Sequence, residues 1–426
     1  MRFKRTGLIT PTITIVSLTA MLISPLSMAR GELPELTRAL DSLALHYTEM
    51  NFADYFKRLR DRDTQQHEKT LTRISEQLTE LSTVSLSYCD AVALDDAQYK
   101  LQLAQTRLNL LTQLTPLAPD YQGSFSELQN GEKWYQHWLQ SWLQADVSIA
   151  DLQQIAHSEL EDVKLRRAAL SDNRLPENHN AIDGNNANRI VSEFKRRELA
   201  VYQNTAQVLG TKFAATSVNI VKSTLPKDFP APGIYNPSNQ EFIYHLHGET
   251  LPVKHMDWLF LHEAVPGHHL FSEYSQQAVT CPEYQVAHSS TLFTEGWAAY
   301  VETLGKELGL FTDRTSIDYA LDWQALRAVR VLLDTGIHAK GWSNDKARQV
   351  WMRHIPEQRD IMEREINRIR NWPVQVITYV YGKAVIKQTI NKMQSQTPEL
   401  PLSEVHHAIL NQANFSLRSL RFLQDN

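Results

Sequence analysis

The sequence predicts a mainly α-helical protein carrying one small β-ribbon, a fold class that three observations support. Apolar residues recur at three- and four-residue spacing along most of the chain, the period of a helix with one buried face. Only one stretch, around residues 217–246, is β-branched and polar by turns. The 426 residues are 42% hydrophobic and 21% charged with only 15 glycines, which is the make-up of an ordinary globular chain with material for a sizeable core.

Taken in order, the chain opens with Arg2, Lys4 and Arg5, an apolar run from Leu8 to Leu26, and then Ser27-Met28-Ala29. A positive region, an apolar core and small residues at −3 and −1 describe a secretory signal peptide spanning 1–29, cleaved after Ala29. The alternative is an uncleaved anchor helix, which Pro11, Pro25 and the many hydroxyls in the run disfavour. The expectation is an exported, periplasmic protein with no stable membrane insertion after cleavage. No cysteine follows the run, which argues against a lipid anchor.

Residues 30–426 then read as a single domain, with a 30–188 helical subregion and a 189–426 subregion that carries the chemistry. From Leu36 to about Leu114, helices alternate with polar breaks; Leu101, Leu103, Leu108 and Leu111 show the spacing. Lys57 to Lys69 alternates in sign and suits a solvated face. Ser148 with Asp151 resembles a capping box, followed by the stripe Ile149, Leu152, Ala156, Leu160 and Val163. Ser171 to Asn188 is rich in Asn, Asp and Gly and reads as a loop; Arg189 to Val208 reads as a helix. Ser217–Thr224 and Glu241–Leu246 form the ribbon, with turns forced between them by Pro230, Pro232, Gly233 and Pro237. From Thr250 the chain returns to helices, broken locally at Pro373.

A net charge of −5 argues against a nucleic-acid partner, because phosphate binding needs a basic surface. Cys89 and Cys281 are the only cysteines. They could pair in an oxidising compartment or remain two buried thiols.

The strongest chemical signal is His262-Glu263-Ala264-Val265-Pro266-Gly267-His268-His269. Zinc peptidases need two neutral imidazoles on one side of the metal and a carboxylate poised over the attacking water. The usual His-Glu-x-x-His returns the second histidine to the same helical face after four residues. Here the spacing is six. At ~100° per residue, His268 falls about 120° off the face of His262, whereas His269 returns to within ~20°. Pro266 clashes with a continuing helix, so Pro266-Gly267 is expected to bulge and re-aim the histidines beyond it. The spacing leaves His268 and His269 both open. Glu295, in Thr294-Glu295-Gly296-Trp297-Ala298, is the candidate third ligand, leaving a fourth position for water. Its helix also carries Glu302.

Arg327, Arg330, Asp334 and His338 form a third cluster. Arg330, Asp334 and His338 lie four apart and share a face, either as a salt-bridged stripe or as a cleft lining with arginine holding a carboxylate. Tyr379 and Tyr381 follow the break at Pro373, and a tyrosine hydroxyl is a good donor to an oxyanion.

Together, His-Glu-Ala-Val-Pro-Gly-His-His, Glu-Gly-Trp-Ala, Arg-x-x-x-Asp-Thr-Gly-x-His, the Pro-x-Gln…Tyr…Gly block and Pro232-Gly233-Ile234-Tyr235-Asn236-Pro237 resemble the bacterial domain-of-unknown-function family 885, firmly from Pro232 to about Lys387. The resemblance implies a large helical zinc-metallopeptidase fold with a deep cleft, similar to neurolysin-like and thermostable carboxypeptidases. It implies Zn2+ held by His262, His268 and Glu295, with Glu263 as general base. Arg330, Asp334, His338 and Tyr379 match motif positions facing the cleft, and Tyr235 stands in the segment similar to the one ahead of the family's metal helix. The chain departs from the family pattern at Phe271, often glutamine there, at Val374, often glycine, and in being shorter than many members.

The expected activity is peptide hydrolysis, with Tyr379 or His338 supporting the oxyanion, Arg330, Asp334 and Tyr235 meeting substrate, and strand addition at Glu241–Leu246 holding an extended peptide. The alternatives are a non-catalytic peptide- or metal-binding protein and a hydrolase of a non-peptide amide or ester.

Overall fold

The computed structural model describes residues 33–41, 56, 64–83, 85–114, 124–171, 175–210, 216–277, 280–281, 284 and 290–424. The leader read over residues 1–29 lies outside these, as does the first half of the Lys57–Lys69 stretch. The described chain is mainly helical: α1 (residues 33–41), α2 (Thr64–Leu81), α3 (Tyr88–Leu111), α4 (Gly131–Leu143), α5 (Ile149–Ser171), α6 (Ala187–Val208), α7 (Met256–Glu263), α8 (His268–Gln277), α9 (Thr291–Val301), α10 (Arg314–Lys340), α11 (Asn344–His354), α12 (Met362–Asn371), α13 (Thr378–Gln396) and α14 (Leu402–Leu410). Among the described residues, no helix is long and apolar enough to cross a membrane.

Local chemistry fixes several of these boundaries. The Ser148 hydroxyl accepts from the Asp151 backbone N–H at 3.0 Å and donates to the Asp151 carboxylate at 2.6 Å, opening α5. Leu152, Ala156 and Val163 then bury one stripe. Asp313 caps α10 by accepting from Ser316 N–H at 2.9 Å. The helix ends at Gly341, whose φ of +64° suits glycine.

The β structure differs from the expected single ribbon. Strands β2 (Asn219–Lys222), β3 (Gly233–Asn236) and β4 (Glu241–Tyr244) form one sheet in the order β2-β4-β3, with β2 parallel and β3 antiparallel to β4. Pro232 and Pro237 bound β3 instead of breaking it, because a proline just outside a strand costs no ladder bond. A second pair joins β1 (Ala181–Asp183), inside the stretch read as a loop, to β5 (Thr250–Pro252), at the start of the stretch read as helix. Three-residue strands are too short to show an alternation, so the sequence pattern missed both. The helix expected from Thr250 begins at Met256.

One large core runs from Phe56 to Leu420 and includes Trp134, Tyr135 and Trp138 on α4 and Ile386 on α13. A smaller cluster joins α1, α2 and α3 to Cys281, Tyr284 and Phe415. Cys89 at the start of α3 is disulfide-bonded to Cys281, across a sequence separation of 192. Helices α9 and α13 cross at a glycine pair. A Cβ on Gly296 would stand 2.6 Å from the Gly382 Cα, so only glycine permits this approach. Glu295 and Tyr379, beside the crossing, are thereby brought together.

Candidate metal centre

Helix α7 is buried on all sides: Met256, Trp258, Leu259, Phe260 and Leu261 pack in the core, and its ionisable residues Asp257, His262 and Glu263 are buried as well. It ends at Glu263, and Ala264 leaves the helical region (φ −105°, ψ −113°). The chain turns through Val265, Pro266 and Gly267 and restarts as α8 at His268. The turn is held from α9 by Trp297, whose indole N–H donates to the Pro266 carbonyl at 2.7 Å. Gly267 is packed against the end of α7, where an added Cβ would meet the His262 carbonyl oxygen at 1.9 Å. The six-residue spacing is therefore spent on a break between two helices, and the helical-wheel argument for His269 does not apply across it.

The break turns His268 toward His262 and Glu295. The Glu295 Oε2 lies 3.5 Å from His262 Nε2 and 3.4 Å from His268 Nε2, and the three donor atoms all lie within 4.8 Å of one another. Ligands ~2.1 Å from a tetrahedral zinc stand ~3.4 Å apart, so the set fits such an ion. Glu295 Oε2 is buried without a hydrogen-bond partner. Electrostatics agree with the fit. Burial would push His262 down, yet the Glu295 and Glu302 carboxylates beside it lift it to about 9. Burial would raise Glu295, yet His262 and His268 hold it well below the usual carboxylate range. The cluster draws positive charge, which a proton or a cation can supply. His269 points elsewhere: it is fully buried, with Nδ1 3.0 Å from the Tyr235 hydroxyl and Nε2 2.9 Å from the Thr216 carbonyl.

His262 is braced from behind. Its Nδ1 lies 2.7 Å from Glu302 Oε1, and Arg327 donates to both Glu302 oxygens at 2.7 and 2.6 Å. Trp258, one turn earlier on α7, stacks on the imidazole at 5.6 Å and on Trp323 at 4.2 Å. The Tyr379 hydroxyl donates to Glu295 Oε1 at 3.1 Å. Burial and the Glu295 charge raise the phenol, which keeps it a donor.

These groups open into a cavity of about 420 Å³ lined by His262, Glu263, His268, Glu295, Tyr379, Tyr235, Arg327, Arg330 and Arg368, with Trp258, Trp323 and Phe271 among its apolar walls. The structure thus brings together His262, Glu263, His268, Glu295, Tyr379, Arg330 and Tyr235. It does not bring Asp334 and His338 to the cleft. Asp334 is fully buried, accepting from the Tyr135 hydroxyl and the Val374 N–H, both at 2.8 Å. His338 is also fully buried, with Nε2 2.9 Å from the Ile369 carbonyl and its ring against Phe125 and Tyr135. Arg330 shares their stripe but turns to Glu365 on α12 at 2.8 Å.

Asp334 instead anchors an unusual bend. Val374 has a φ of +71°, a region that costs a β-branched residue strain and suits the glycine common at this place in the resembled family. The strand expected to pair with substrate, β4, is flanked on both sides, so the edge beside the cleft belongs to β3. Sequence reasoning assigns no role to Glu302 or Arg368. Glu302 lies seven residues after Glu295, two turns on, and that spacing is the one signal it offers; Arg368 stands in no motif.

The family model described as "Bacterial protein of unknown function (DUF885)" matches residues 76–422. No curated protein matches the chain. Among solved structures, the chain is similar to a protein titled "putative lipoprotein" from Colwellia psychrerythraea, with a TM-score of 0.61 and 20% identity over 88% of this chain and 69% of that one. It is also similar to a "putative lipoprotein of unknown function" from Shewanella oneidensis, with a TM-score of 0.58 and 16% identity over 95% of this chain and 88% of that one. At these identities the likeness shows a shared fold.

Proposed function

We propose that this chain, which belongs to the DUF885 family of bacterial proteins, is an exported zinc-dependent peptidase of the helical metallopeptidase type. The observation that carries the reading is the convergence of His262, His268 and Glu295 in one cleft with Glu263. Two imidazoles and one carboxylate suit zinc and leave room for water, the donor set of catalytic rather than structural sites. A zinc ion held there supplies Lewis acidity, polarising a carbonyl and making water nucleophilic at neutral pH.

The remaining work falls to the chain's own residues. Glu263 follows His262 directly and lines the same cavity. It takes a proton from the water that attacks the peptide carbonyl and delivers it to the leaving nitrogen. Water is consumed, the carbon–nitrogen bond breaks, and a carboxylic acid and an amine remain. Tyr379, kept protonated, donates to the oxygen on which charge develops. Glu302 fixes the His262 tautomer by accepting from its Nδ1–H, and Arg327 keeps Glu302 in place. Export is supported by the leader-like pattern of residues 1–29 and by the Cys89–Cys281 disulfide, a bond that persists in oxidising compartments.

The test compares the mature wild type with Glu263→Gln for metal content and for cleavage of a mixed peptide library. About one zinc in each, with cleavage by wild type alone, upholds the reading. Zinc without cleavage moves the protein to a binding role or to non-peptide amides and esters; absence of bound zinc in both ends the proposal.

A further inference from the structure

Three guanidinium groups line the cleft, on Arg327, Arg330 and Arg368, and their partners differ. Arg327 holds both oxygens of Glu302, and Arg330 holds Glu365. Arg368 has its NH2 on the uncharged Gln375 amide oxygen at 2.8 Å and also meets Tyr379; Glu365 and Glu295 attract it from further off, but it makes no close ion pair among the described residues. It is a half-buried cation with unspent donors facing a cavity, the arrangement that recognises a carboxylate by paired charge-assisted bonds.

Its position narrows the choice. Arg368 interacts with Tyr379, and Tyr379 hydrogen-bonds Glu295. A carboxylate on Arg368 therefore sits one side chain away from the donor triad, close to the bond to be cut. A residue of extended chain spans only ~3.3–3.6 Å, so few residues fit between the two points. The cavity volume of about 420 Å³ falls in the range of sites for small ligands. The Trp258, Trp323 and Phe271 walls offer apolar surface to the side chains of the same short substrate.

We propose that Arg368 receives the terminal carboxylate of a short peptide, so that the enzyme cuts from the carboxyl end. The proposal rests on the peptidase reading above and adds the substrate class to it. A carboxylate could also come from an acidic side chain, and the experiment separates the two sources.

The experiment uses the mature, zinc-loaded chain and three matched peptides: one with a free carboxyl terminus, the same peptide amidated, and an amidated peptide with glutamate as its last residue. Wild type is expected to favour the free acid over the amide by about 10- to 100-fold in kcat/KM. In Arg368→Gln that ratio should collapse towards one, and Arg368→Lys, which keeps charge but not the fork, should recover part of it. Independently of turnover, metal-free wild type should bind a free-acid dipeptide more tightly than its amide by calorimetry, and Arg368→Gln should not discriminate. Equal cleavage of acid and amide by wild type overturns this inference and leaves the peptidase reading standing. So does a preference that survives in Arg368→Gln, or amidated glutamate peptides cut as fast as free acids. Cleavage of no peptide at all removes both.

Discussion

The Nδ1 of His262 lies 2.7 Å from Glu302 Oε1, which leaves Nε2 facing His268 and Glu295. One buried carboxylate thus determines which nitrogen of a candidate ligand is available, and Arg327 determines where that carboxylate stands. Partners of this kind tune metal affinity about 10–100-fold.

Glu302→Gln should accordingly weaken zinc binding about 10-fold or more while the fold survives. Competition with a chelator of known affinity measures this. An unchanged affinity would show that the His262 orientation does not depend on Glu302.

Gly296→Ala places a Cβ 2.6 Å from the Gly382 Cα and forces α9 and α13 apart. Overpacking of this kind costs about 1–3 kcal/mol. Glu295 is the neighbouring residue, so zinc affinity should drop together with the thermal midpoint. Loss of stability with full zinc affinity would mean that the crossing does not position Glu295.

Stability should fall as the solution is acidified from pH 7 to 4.5. Burial lowers His137 to about 3 and His338 and His406 to about 4, from an ordinary 6.5. A base depressed in the folded state stabilises above its unfolded pKa, and that contribution is lost as pH falls towards the folded value. Asp334 acts with opposite sign. Burial raises it to about 7, so its contribution is present below its unfolded value and lost as pH rises through 7. In Asp334→Asn the amide can accept from Val374 N–H and donate to the Tyr135 hydroxyl, so the variant should fold and show a steeper rise in urea midpoint between pH 4.5 and 7. A flat profile in wild type would contradict these assignments.

Replacing both Cys89 and Cys281 by serine releases a tie across 192 residues. The expected loss is about 2–4 kcal/mol, read from denaturant midpoints of the two oxidised-buffer preparations. A variant as stable as wild type would show that the bond adds nothing to the folded state's advantage.

The parts of the site legible in sequence are those held by neighbours in the chain. His262-Glu263 and Glu295 announce themselves because ligand chemistry restricts residue type and the flanking Gly267 and Gly296 mark tight packing. Only the family resemblance favours His268 over His269 in the sequence; in the fold, it is aimed by the Trp297 bond to Pro266, a contact between separate helices. The stripe Arg330, Asp334 and His338 is visible at its correct spacing, yet a shared helical face does not say whether it meets solvent, cleft or core. Tyr135, from α4, and Val374 draw Asp334 into the interior. Arg368 gives no signal because it stands in no motif and reaches the cleft only through the packing of α12 against separate elements. The helical class is readable from periodicity, whereas three-residue strands such as β1 and β5 exist only through their pairing.

His262, His268 and Glu295 each arrive on a different helix, α7, α8 and α9. An ion gripping all three would act as a rivet through three elements of the core, so loading the site is also a mechanical event. Heating should then distinguish an empty protein from a filled one most sharply in the packing around the Ala264–Gly267 turn. Amide exchange at His268 and its neighbours would register occupancy before any substrate is known.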